Sequence, residues 1–115
     1  MTAATARFRW CTLYADTPDQ PAVVTTLAAL LGPADALGVV RVQGFTVDVR
    51  RNPDRSGGDH HLDWSTAIEI DADDTVPDCS VITLVTSIID RLHAAGLRVA
   101  PDCEFTPDLP PPDTR

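Results

Sequence analysis

Asp59-His60-His61-Leu62-Asp63 is the densest gathering of metal-capable side chains in the chain. Imidazole and carboxylate together are a donor set that transition metals accept, provided the groups converge from a fixed backbone. Adjacent residues of a strand point to opposite faces, so His60 and His61 can share one ion only from a loop. No third ligand stands at a telling distance, because His93 belongs to a helical stretch that nothing ties to this segment. Asn52-Pro53 and Gly57-Gly58 precede it, and such residues favour turns. The expectation is therefore the end of a hairpin, with no metal and no other cofactor.

A second gathering, Asp71-Ala72-Asp73-Asp74-Thr75-Val76-Pro77-Asp78, follows a calcium loop for three positions. It then departs, with Val76 where the loop needs glycine and Ile82 where it needs a bidentate glutamate. Carboxylates just before a helix are favoured by the positive end of its dipole, by roughly 0.3 to 1 kcal/mol each. Asp71, Asp73, Asp74 and Asp78 remain as a negative patch that a basic protein could meet.

Arg41-Val42-Gln43-Gly44-Phe45 resembles, over five residues, part of the acylphosphatase signature. In that family the stretch is a phosphate-cradling loop between the first strand and the first helix, ending in a substrate-binding arginine. Here it falls inside the second extended segment and Thr46 follows Phe45. The backbone donors and guanidinium that stabilise an acyl phosphate are not supplied at this position. No nucleophile elbow, paired Cys and His, or glycine-rich phosphate loop occurs, so no catalytic residue is assigned.

Charge narrows the partners. The 115 residues carry nine arginines, no lysine and seventeen acids, for a net charge of -8. Residues 1 to 58 hold six arginines against five acids and residues 59 to 115 three against twelve, so the second half carries the excess. Affinity for nucleic acid comes from cations that displace counterions, which excludes a phosphate-backbone binder. No run approaches the roughly 18 apolar residues that span a bilayer, and the first residues lack a basic start followed by an apolar block. A cytoplasmic protein is expected. Cys11, Cys79 and Cys103 are odd in number and widely spaced, which fits buried, reduced thiols better than a disulfide framework.

The elements that must position these residues follow from periodicity. Arg7 to Ala15 alternates, with Phe8, Trp10 and Tyr14 on one side and Arg7 and Arg9 on the other, as in a strand. Thr17-Pro18-Asp19-Gln20 reads as a capping box with Thr17 as N-cap. The helix it opens carries Val23, Val24, Leu27, Leu30 and Leu31 and stops at Gly32-Pro33. Leu37 to Arg51 is extended, with a slip of parity at Gln43-Gly44 that predicts a bulge in one long strand. Trp64, Thr66, Ile68 and Ile70 alternate in a third strand that pairs with the second. Asp78 is placed as N-cap of a second helix bearing Val81, Leu84, Val85, Ile88, Ile89 and Leu92 and ending at Gly96, with His93 near its negative end. A last extended segment, 97 to 105, is broken by Pro101 and belongs on an edge.

The order β-α-β-β-α-β predicts an α+β domain of the ferredoxin-like, split βαβ plan, residues 1–106, with both helices on one face of an antiparallel sheet. Residues 107–115, with four prolines, form a tail. If Phe8, Trp10, Phe45, Val47, Trp64, Ile68 and Ile70 face the helices, the open face carries Arg9, Arg41, Asp48, Arg50, Glu69 and Asp71. Three functions then compete. The first is a non-enzymatic, inhibitor- or immunity-type module that docks a basic partner through Asp71, Asp73, Asp74 and Asp78. The second is a small enzyme or ligand-binding domain holding an anion with Arg9, Arg41 and Arg50. The third is a homodimer formed across sheet faces or edge strands.

Overall fold

A computed structural model describes residues 9–53, 64–103 and 106–109. The elements are β1 (Trp10–Ala15), α1 (Gln20–Leu31), β2 (Val39–Val42), β3 (Phe45–Arg51), β4 (Thr66–Ala72), α2 (Asp78–Ala94) and β5 (Val99–Asp102). The five strands lie in the order β2-β3-β4-β1-β5, every neighbouring pair antiparallel. The fold is α+β, but the expected four-strand order is not matched.

The fifth strand arises at the parity slip. Gln43 and Gly44 both have positive φ, +36° and +88°, which is the requirement of a two-residue primed hairpin turn. Val42 therefore pairs with Phe45, and Val40 with Val47. A bulge would have kept the chain running forward; two left-handed residues reverse it. Both Val40 and Val47 are buried although one position is even and the other odd, which is the slip that the sequence displays. β3 then pairs with β4 along its length, from Phe45 opposite Ala72 to Arg51 opposite Thr66, as expected of these two segments.

β1 presents the face opposite to the one expected. Cys11, Leu13 and Ala15 are fully buried, while Trp10 is 49% exposed. The cause is its partner: Cys11 lies opposite Ile70 and Leu13 opposite Ile68, and facing residues of a ladder share a side. Ile68 and Ile70 must face the helices, so Trp10, opposite Asp71, must face away.

Both helix starts differ from expectation by local chemistry. Asp19, not Thr17, caps α1, accepting from the Ala22 N–H at 3.1 Å, while the Thr17 hydroxyl accepts from the Asp19 N–H. Gln20 turns away from the cap and donates to Thr66 Oγ1 at 2.9 Å, and that hydroxyl donates to the Thr17 carbonyl at 2.6 Å. The N-cap of α2 is Pro77, without a side-chain cap, and Asp78 is its first helical residue. Asp78 is drawn to Arg9 instead, at 3.6 Å.

Val23 and Leu27 of α1, and Val81, Val85, Ile88, Ile89 and Leu92 of α2, close over the inward residues of the sheet in one core. Each fully buried aliphatic side chain of this kind contributes about 1.5–3 kcal/mol. Beyond β5, a 3-10 turn at Thr106–Asp108 is followed by Leu109, which is packed into the same core. Among the described residues no helix is long and apolar enough to cross a membrane.

A Cβ on Gly44 would stand 2.8 Å from Val76 Cγ2 and 3.3 Å from Asp73 Oδ2, at a φ that L side chains resist. Gly44→Ala is expected to lower unfolding stability by about 1–3 kcal/mol in urea titration. A change below about 0.5 kcal/mol would show that the hairpin does not need this turn.

Candidate functional site

The outward face of the sheet is built from three cross-strand rows. One runs Arg41, Thr46, Asp71, Trp10. The next runs Val39, Asp48, Glu69, Thr12, Asp102, and the third Arg50, Ala67, Tyr14, Ala100. Among the described residues both helices pack on the other side in the common core; the first two rows hold the exposed Arg41, Asp71, Trp10 and Asp102, while Ala67 and Ala100 of the third are buried. Rigid backbone in a ladder fixes where each side chain emerges, so the exposed rows are pre-organised.

Its cations are already engaged. Arg50 forms an ion pair with Asp48 and lies 3.6 Å from Glu69. The hydrogen bond that Arg50 donates to Asp48, and then the charge of Glu69, raise the Arg50 pKa further. Arg41 donates to Asp35 at 2.9 Å. Asp35 also accepts from the Val39 and Leu37 N–H groups at 3.1 and 2.8 Å. Arg41 first, and these backbone donors after it, hold the Asp35 carboxyl below its ordinary value.

Asp71 and Asp102 form no ion pair among the described residues. Asp71 stands between two shallow depressions. One, of about 200 Å³, is lined by Trp10, Thr12 and Glu69; the other, of about 460 Å³, by Arg41, Gln43, Thr46 and Asp73. A half-exposed indole thus sits in a field of carboxylates, an arrangement suited to an arginine or lysine that stacks on the ring while pairing with Asp71 or Glu69.

The four carboxylates expected to act together divide. Asp71 and Asp73 border the larger depression, and Asp74 is exposed in the loop that follows β4. Asp73 accepts from the Thr75 N–H at 2.9 Å and from the Thr75 hydroxyl, which lowers its pKa. Asp78 faces Arg9 on the helix side of the sheet.

The three arginines do not converge. Arg9, expected on the open face, is turned under the start of α2 because the parity of β1 is reversed. Its guanidinium donates to the carbonyls of Asp73 and Val76, the latter at 2.6 Å. It is a clip that fixes the β4–α2 loop through charge-assisted bonds to its carbonyls.

His60 and His61, with Asp59, Asp63 and Phe8, lie outside the described residues. Among the described residues no group of three or more histidine, cysteine, aspartate or glutamate side chains could hold a metal ion. Cys79 is exposed, against the expectation of a buried thiol, since its position on α2 turns away from the core. Trp10 and Asp102 were not anticipated on the open face; the alternation of Ile68 and Ile70, projected onto the neighbouring strand, is the signal that places Trp10 there.

No protein-family model, curated protein or solved structure matches the chain, and geometry alone carries the functional reading.

Two outcomes are expected. Arg9→Gln should cost about 1–3 kcal/mol of stability, because the carbonyls of Asp73 and Val76 lose a charged donor; urea unfolding measures it. Asp35 and Asp73 have folded pKa values below the ordinary carboxylate value, so each favours the fold when ionised. That contribution is complete above the unfolded pKa and is lost as pH falls through the folded one. Asp35→Asn should accordingly flatten the fall of stability between neutral pH and about pH 3, measured by denaturant titration across that range.

Proposed function

We propose that this chain is a non-enzymatic, cytoplasmic protein-binding module that docks a basic partner protein on its open sheet face. The observation that carries this reading is the placement of Trp10, 49% exposed, opposite Asp71 and beside Glu69. Tryptophan is among the residues that dominate binding energy when an interface closes over them. Carboxylates around it supply steering and register, in keeping with the net charge of -8. Asp73 and Asp74 extend the negative surface from the sheet into the loop before α2, while Asp78, engaged by Arg9, contributes to holding that loop. The logic is that of small inhibitor or immunity-type proteins that neutralise cationic targets.

We also read the fold as a ferredoxin-like, split βαβ plan to which β2 is added at one edge. Without β2 the order is β3-β4-β1-β5, in which β1 and β3 run parallel on either side of β4, and β4 and β5 on either side of β1. That plan hosts unrelated functions and supports none of them. An anion-binding role for Arg41 and Arg50 draws no support from their geometry, since both already face carboxylates.

Wild-type protein, Trp10→Ala and Asp71→Asn/Asp74→Asn are to be immobilised and exposed to lysate at low and high salt, with retained proteins identified by mass spectrometry. A basic protein held by the wild type at low salt, and lost from both variants, is the expected outcome. The same proteins retained by all three, or self-association alone in light scattering, would overturn the reading.

A further inference from the structure

The sulfur atoms of Cys11 and Cys103 stand 2.7 Å apart, although 92 residues of sequence separate them. The contact is a consequence of register. β1 and β5 pair Leu13 with Pro101 and Thr12 with Asp102, and one further step along the same ladder sets Cys11 against Cys103. Pro101 has no N–H to give, so its pair with Leu13 marks a non-hydrogen-bonded site, and two residues on the same kind of site recurs. Facing Cα atoms at such sites are about 4.5 Å apart, inside the range that a disulfide spans.

The backbone around Cys103 is held. The Thr106 hydroxyl accepts from the Cys103 N–H at 3.0 Å and donates to its carbonyl at 2.8 Å, and Leu109 anchors the following turn in the core. Both thiols point to the inward side, Cys11 fully buried and Cys103 half-buried.

We propose that Cys11 and Cys103 are a reversible dithiol–disulfide couple that cross-links β1 to the segment after β5, oxidised by a low-molecular-weight disulfide such as oxidised glutathione. The Cys103 thiolate, the more accessible of the two, attacks the oxidant. One small thiol leaves, and a mixed disulfide remains on Cys103. Cys11 then attacks the Cys103 sulfur, loses its proton and expels the second small thiol. Two protein thiols are oxidised and one small disulfide is reduced to two thiols. The hydrogen bond with Cys103, and then burial, hold the Cys11 thiol protonated well above its ordinary range.

The pair is separate from the proposed docking face, because both cysteines lie on the helix side of the sheet. The exposed Cys79 is removed by Cys79→Ser, so that only the pair reports. This protein, folded, is to be incubated with oxidised glutathione, then unfolded and analysed by thiol titration, intact mass and peptide mapping. The expected result is loss of two hydrogens with no glutathione retained and a Cys11–Cys103 linked peptide. Dithiothreitol should reverse it, and the oxidised form should melt roughly 5 °C or more above the reduced one. In Cys79→Ser/Cys11→Ser the mixed disulfide should instead persist on Cys103. Two titratable thiols after oxidation, or a stable glutathione adduct while Cys11 is present, would overturn the proposal.

Discussion

The placement of Ile68 and Ile70 on the central strand governs the molecule. β4 pairs with β3 on one side and β1 on the other, so its alternation is imposed on both. With the two isoleucines under α1 and α2, Val47 and Val49 must point inward on β3, and Cys11, Leu13 and Ala15 on β1. A shift of one residue in either pairing would put a complete set of side chains on the wrong side, at a cost of several buried aliphatics. The open face is in this sense a by-product of the core: Trp10, Asp48, Glu69 and Asp71 are outside because their neighbours are inside.

Charge on that face is sorted by distance along the ladder. On the β2 and β3 side, arginines meet carboxylates within the protein, Arg41 with Asp35 and Arg50 with Asp48 and Glu69. Such exposed pairs contribute little to stability, but they neutralise one half of the surface. Towards β1 the balance is different: Asp71 stands opposite the indole of Trp10 and Asp102 opposite Thr12, neither in an ion pair among the described residues. The asymmetry leaves the unpaired negative charge on one side of the sheet rather than at its centre.

Much of this is legible in the sequence. Helical spacing in Val23 to Leu31 and Val81 to Leu92 marks both helices because a buried stripe recurs at their period, and the alternation of Trp64 to Ile70 marks β4 for the same reason. β1 was ambiguous: Phe8, Trp10 and Tyr14 form one apolar series, Cys11, Leu13 and Ala15 another, and only pairing with β4 decides between them. The slip at Gln43-Gly44 was visible, but a bulge and a primed turn both place glycine there, and the positive φ of Gln43 is a property of the folded backbone. The meeting of Cys11 with Cys103 depends on a register between the first and last strands that local pattern does not encode. Arg9 reads as a surface charge in sequence, and only its reach to Asp73 and Val76 shows it as a clip.

A proline has no N–H to offer a further strand, and Pro101 sits buried on β5, at one end of the sheet. β2, at the other end, is only four residues long. A row of unpaired amides is the template on which one sheet recruits another, and among the described residues neither border strand is longer than four residues. Among the described residues the borders of the sheet are thus poor templates for strand-upon-strand growth.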